Sequence, residues 1–280
     1  MLKKLRKFLP PIFCAMLTGV GTGGVIYLFK GLASFAVMLS GKTFAAVRET
    51  PVLLPIVILG AAILGVLAAF IVKLEPDAAG GGIPTSVAVL RDIITLRWLR
   101  CIICTAFSAA LTYAAGVPLG TEGTSVLLGT AVGKGTASLA GDAESTIDRY
   151  SMTSGACAGF AAVTGAPLTG ILFAIEEAHK KISPTLLIMA TVAVFTGNFT
   201  IDLLNLLTGG THPMFEVAVT EAIPFTSLWF PLVLGIVCGL VAVGFTWLHS
   251  LFGKFLKKKC TGIPTAVKFE IGRASCRERV

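Results

Sequence analysis

Charged side chains are scarce in this chain, and the stretches without any say most about it. Acidic and basic residues make up 14% of the sequence against 55% hydrophobic ones, with a mean hydropathy of +0.86. By length alone 280 residues could hold two soluble domains, but so little charge cannot coat two globular surfaces. Catalytic groupings are missing as well. His179, His212 and His249 stand alone, and neither a His-Glu-x-x-His nor a Gly-x-Ser-x-Gly spacing occurs, which argues against an enzyme. The seven cysteines, Cys14, Cys101, Cys104, Cys157, Cys238, Cys260 and Cys276, are scattered and imply no disulfide framework. Cys101 and Cys104 have redox-motif spacing but sit in an apolar run with no metal partner nearby, so buried thiols are the plainer reading. No metal and no cofactor are expected.

What is present is a series of uncharged runs at residues 8–29, 50–72, 101–121, 150–175, 182–201 and 222–253. Several reach the roughly 20 residues that cross a bilayer. The class expected is an all-α, polytopic membrane protein, with the lipid bilayer as its surroundings. The net charge of +8 needs no nucleic acid to explain it, because the basic residues cluster at segment ends. Lys3, Lys4, Arg6 and Lys7 open the chain, Lys180 and Lys181 lie mid-chain, and Lys257, Lys258 and Lys259 follow the last run. Basic flanks stay cytoplasmic, which places the N-terminus and the 257–259 run inside the cell, with the chain a multi-pass protein of the plasma or inner cell membrane. Residues 8–29 lack a small-residue cleavage site and read as a retained span rather than a signal peptide.

The runs are not clean spans. Residues 8–41 form one stretch interrupted only by Lys30, long enough for a strongly tilted helix. Pro51 opens the next span, which ends near Glu75-Pro76. A helix over 101–115 stops at Gly116-Val117-Pro118, and the apolar run 123–133 is too short to cross. Residues 142–149 read as a solvated loop. The Gly- and Ala-rich run 150–163 permits close helix packing. Pro167 opens a further helix, ending among residues 178–181, and Pro184 another to about 207. Residues 209–224 read as extramembranous, ahead of a last helix over 225–253. Backbone that breaks at membrane depth needs protein or an aqueous cavity to satisfy it, so discontinuous, re-entrant helices are expected.

Glu122 is the sharpest feature. It lies in Gly120-Thr121-Glu122-Gly123-Thr124, with no other charge between residues 101 and 133. A carboxylate at bilayer depth costs roughly 2.5 kcal/mol or more and commonly marks an ion or proton path. Gly120 and Gly123, flanking Glu122 with Thr121, let backbone amides approach a ligand, and a helix starting there points its positive end inward. Gly80-Gly81-Gly82-Ile83-Pro84 reads in two ways, as a flexible loop or as amides of Gly81, Gly82 and Ile83 facing an anion at a helix start. Partial charges hold an anion reversibly, where a fixed lysine would hold it too tightly.

Three motifs in register, at 80–84, 120–124 and in the turn and helix ending Ile175-Glu176-Glu177, make the sequence similar to the CLC family of chloride channels and chloride/proton exchangers over roughly residues 10–259. The resemblance implies one half of a CLC-type inverted repeat, chloride as transported ligand with no cofactor, protons as the coupled ion, and a homodimer at full length. It implies that Glu122 is a gate whose carboxylate competes with the anion until protonated. It implies that Glu177 relays protons, although a charged helix end beside His179, Lys180 and Lys181 is the plainer reading of that pair. An anion channel uncoupled from protons, a preference for fluoride or nitrate, and a non-transporting structural fragment stay open. Gly81 stands where the family has an anion-contacting serine, Thr124 where it has proline, and Thr121 where it often has arginine. The family's second half has no counterpart here. Residues 260–280 read as a tail, of which 270–280 resemble a translated sequencing adapter, so a truncated gene model is expected; a basic cytoplasmic tail is the alternative.

Overall fold

A computed structural model describes residues 2–79, 82–117, 119–139, 146–179, 183–209 and 229–259, and all regular structure among them is helical. The chain divides into two compact units, Met1–Met214 and Phe215–Val280.

In the first unit, α1 (Leu2–Glu49) is a single helix of 48 residues, roughly 70 Å at the usual rise. Lys30 does not break it, because its ammonium donates to the Ala162 carbonyl at 2.6 Å. A 3-10 turn (Pro51–Leu53) leads into α2 (Leu54–Leu74), which is apolar on all sides and has no buried residue. A second 3-10 turn (Pro76–Ala79) precedes the short α3 (Ile83–Leu90) and then α4 (Trp98–Ala114). Two small-residue helices follow, α5 (Glu122–Leu139) and α6 (Thr146–Thr164). After Gly165, whose φ of +67° turns the chain, come α7 (Pro167–Phe173), a π-helical turn (Ala174–His179) and α8 (Pro184–Thr208). The second unit contains α9 (Trp229–Lys259). Among the described residues, four helical stretches are long and apolar enough to cross a membrane: Pro10–Glu49, Pro51–Leu74, Pro184–Thr208 and Val233–Phe252. The protein is an all-helical membrane protein.

The core is the antiparallel pair α5/α6, in which residues 125–133 and 151–159 are all buried. Glycine makes this possible. A Cβ on Gly129 would strike the Gly155 carbonyl and one on Gly155 the Gly129 carbonyl. Gly133 sits equally close on the Ser151 carbonyl and Gly159 on that of Ser125. Without Cβ atoms the two backbones approach closely, and dispersion and polar contacts replace a hydrophobic drive that lipid cannot supply. α1 packs in parallel on α8 in the same way, Gly19 against Ala193 and Gly23 against Gly197. Side-chain hydroxyls add a polar seam between α1 and the central pair. Cys14 Sγ lies 3.1 Å from Ser151 Oγ, and the Thr18 and Thr136 hydroxyls meet at 2.7 Å.

Two local readings change. The uncharged run ending at residue 133 belongs to a helix that continues to Leu139 through Lys134, and residues 146–149 of the expected loop are the first turn of α6. One contact explains both: Lys134 Nζ pairs with Asp148 Oδ2 at 2.5 Å, with only 7% of the Asp148 side chain exposed. Neutralising each other, the two charges extend both helices instead of ending them. The extramembranous stretch expected beyond Gly209 lies outside the described residues.

Candidate functional site

The two glycine motifs touch. Gly82, at the start of α3, has a φ of +67°, and a Cβ there would land on the Gly123 carbonyl at the start of α5. Position 82 therefore needs glycine twice, for its left-handed backbone and for the close approach. The α3 ladder begins with Ser86 N–H donating to Gly82 O at 2.9 Å. In α5, Ser125 donates to Thr121 O through both its amide, at 3.0 Å, and its hydroxyl, at 2.8 Å. The amides of Ile83, Thr85, Glu122, Gly123 and Thr124 precede those first bonds, so their N–H groups fall among the donors a helix start leaves over. Two helix N-termini thus converge, each carrying about half a positive charge.

Glu122 begins α5 and is half-buried. Its side chain folds back toward the preceding loop, where a Cβ on Gly120 would lie 2.5 Å from Oε2. Gly120 leaves that space open. Thr121 and Gly123 are half-buried beside it, and Ile83 packs against the cluster that holds Val126, Ala156, Phe173 and Leu186. Gly81 lies outside the described residues. One turn along α3, the Thr85 and Ser86 hydroxyls are buried, at 1% and 0% exposure, and have no hydrogen-bond partner.

The third motif enters from below the same cluster. α7 packs on α6 with Gly170 against the Cys157 carbonyl, and Phe160 stacks on Phe173 with ring centroids 5.6 Å apart. The helix then widens into the π-helical turn Ala174–His179, a local distortion found frequently at functional sites. Glu176 is exposed there. Glu177 belongs to this turn by its backbone, but its side chain lies outside the described residues. Val126, one turn into α5, and Ala174, first residue of the π turn, share one apolar cluster, so packed side chains join the two motifs.

Tyr113 is the residue that sequence reasoning passed over. It lies on α4, is 5% exposed, and directs its hydroxyl at Gly120 O, 3.5 Å away. The same hydroxyl hydrogen-bonds the Thr124 side chain and lies near enough to Glu122 to feel its charge. A signal existed: the chain has three tyrosines, and one placed in an uncharged run must find a partner for its hydroxyl. Among the described residues no three His, Cys, Asp or Glu side chains group as metal ligands.

Chemically, the arrangement offers amide donors with no fixed cation and one carboxylate that can be neutralised by a proton. Comparison with known proteins bears on what such an arrangement serves. Residues 60–274 match the family model described as voltage gated chloride channel. Over 250 residues the chain is 30% identical to the H(+)/Cl(−) exchange transporters ClcA of Salmonella schwarzengrund and Salmonella agona, covering 87% of this chain and 52% of each of theirs. The chain thus spans about half the length of these curated relatives. In fold it is similar to a slow cyanobacterial Cl−/H+ antiporter, with TM-score 0.76 and 23% identity over 93% of this chain and 60% of that one. It is also similar to a CLC-type fluoride/proton antiporter, with TM-score 0.69 and 20% identity over 90% and 60% of the two chains.

Proposed function

We propose that this chain, which belongs to the voltage gated chloride channel family, supplies one half of an anion pathway that exchanges chloride for protons, with Glu122 as its gate. The observation that carries the proposal is the contact of Gly82 with Gly123 beside the Glu122 carboxylate, which brings two helix starts and one acid to a single point. Partial positive charge from the amides attracts an anion without a salt bridge, so it can leave as readily as it arrives. Amides of Gly81, Gly82, Ile83, Gly120, Thr121 and Gly123 are the donors in this reading. The deprotonated Glu122 carboxylate is itself an anion and competes for the same donors. Protonation removes its charge, and the acid yields its place to chloride. One proton then accompanies each opening, which couples the two ions.

Glu177 is the proposed relay, taking protons from the cytoplasmic side. Its π-helical turn joins the Glu122 helix through the Val126–Ala174 cluster. The basic N-terminal residues support an N-terminus in the cytoplasm of a cell with the chain in its plasma or inner membrane. A homodimer at full length completes the proposal.

The test is proton-driven chloride uptake in liposomes containing the intact transporter that carries this chain. Glu122→Gln, a permanent mimic of the protonated acid, should abolish proton coupling while chloride flux persists. Uptake driven by a proton gradient as in the wild type would dismiss Glu122 as the gate. Chloride flux already independent of protons in the wild type would point to an uncoupled channel.

A further inference from the structure

Tyr113 lies outside all three motifs, yet its hydroxyl enters the turn on which Glu122 stands. Its ring is held in the core cluster with Ile26, Phe29, Leu128, Ala162 and Val163, drawn from α1, α5 and α6. The ring's place is therefore set by packing, while the turn it touches contains Gly120, a residue with wide backbone freedom. A packed phenol against a glycine-containing turn acts as a stop.

The hydrogen bonding has one consistent direction. A phenol has a single proton, and the Gly120 carbonyl can only accept, so Tyr113 donates to Gly120 O across 3.5 Å, the long end of the range. The Thr124 hydroxyl then donates to the Tyr113 oxygen. The two contacts bracket Glu122, one reaching Gly120 before it and the other Thr124 after it. A proline at position 124 would offer no hydroxyl and would break this bracket.

We infer that Tyr113 is a positioning residue for the gate, holding the Gly120–Thr124 turn so that the Glu122 carboxylate keeps its folded-back pose. The inference rests on the reading of Glu122 as a gate. Several ionisable groups on the surrounding helices are engaged elsewhere. Lys30 of α1 is bound to Ala162 O, Lys134 of α5 to Asp148 of α6, and Cys157 of α6 is buried against α7 and α8. α3 and α7 carry no ionisable side chain. Loosening the turn destabilises the seated, charged carboxylate relative to its protonated, displaced form. Acid activation of flux then begins at higher pH.

The experiment is chloride flux against pH in liposomes with the intact transporter carrying Tyr113→Phe, Thr124→Val, both, and each in a Glu122→Gln background. Tyr113→Phe keeps the packed ring and removes only the hydroxyl. Thr124→Val, which loses one ordinary hydrogen bond, should raise the activation midpoint by about half to one pH unit, and Tyr113→Phe, which loses both contacts, by at least as much. The double variant should move no further, and Glu122→Gln should flatten every profile. An unmoved midpoint in Tyr113→Phe, with Glu122→Gln still flattening the profile, overturns the inference alone. Additive shifts in the double variant also overturn it. A profile that Glu122→Gln leaves intact removes the gate reading itself. Should Tyr113→Phe fail to fold, Thr124→Val decides by the same midpoint, since it leaves the core cluster untouched.

Discussion

At position 82 a single methyl group is enough to separate two motifs that lie forty residues apart in sequence. A Cβ there meets the Gly123 carbonyl and forces a residue with φ of +67° into a strained backbone. Gly82→Ala is expected to weaken chloride binding, read by isothermal titration calorimetry on the intact transporter. Gly31→Ala, on α1 where nothing lies within 4 Å, is the control and should leave binding unchanged. Equal affinities for the two variants would take the glycine contact out of the anion site. Glu177 gives the second test at this scale. Glu177→Gln should spare chloride flux and block proton movement, because an amide can hydrogen-bond but cannot carry a proton across. Undiminished proton flux in that variant removes Glu177 from the relay. The types of these residues were legible in the sequence, since an acid between glycines in an uncharged run has few other uses. The partnership of Gly82 with Gly123 was not, because no local pattern records which two turns meet.

Among the helices, the lesson comes from α5 and α6. Their composition is small and polar rather than oily, so hydropathy ranks them below the outer helices, yet they form the interior. The outer α2 is apolar and has no buried residue, while inner helices need close backbones, which Gly129, Gly133, Gly155 and Gly159 provide. The run 150–163 was readable as a packing surface for that reason. Where α6 begins was misread because Asp148 looks like a solvent-facing charge until it is seen to pair with Lys134. Lys134→Met leaves Asp148 with neither carboxylate oxygen satisfied, since Oδ1 already lacks a partner. The expected loss is about 2 kcal/mol in denaturant unfolding, below the range for fully buried pairs because Lys134 is partly exposed. Lys134→Met combined with Asp148→Leu should recover most of it. A double variant as unstable as the single one would show that the pair acts through something other than the uncompensated charge.

For the molecule as a whole, the length of its relatives matters most. The chain covers 52% of the two ClcA exchange transporters compared above, and an anion pathway needs walls on every side. The 280-residue chain expressed by itself should therefore show no chloride flux in liposomes above protein-free controls. Flux that depends on Glu122 from this chain alone would mean that the described half, or copies of it, closes a pathway unaided.

Two kinds of information met in this protein. Composition, the spacing of prolines and glycines, and the uncharged runs determined its class and its helix order, because lipid imposes those constraints locally, residue by residue, while the family showed only through the resemblance of three motifs. Tertiary structure alone decided that Gly82 rests on Gly123, that Asp148 is buried against Lys134, and that the Tyr113 hydroxyl stands at the turn before Glu122. Those contacts join residues up to 41 positions apart, and close approach between backbones leaves no periodic trace in a sequence.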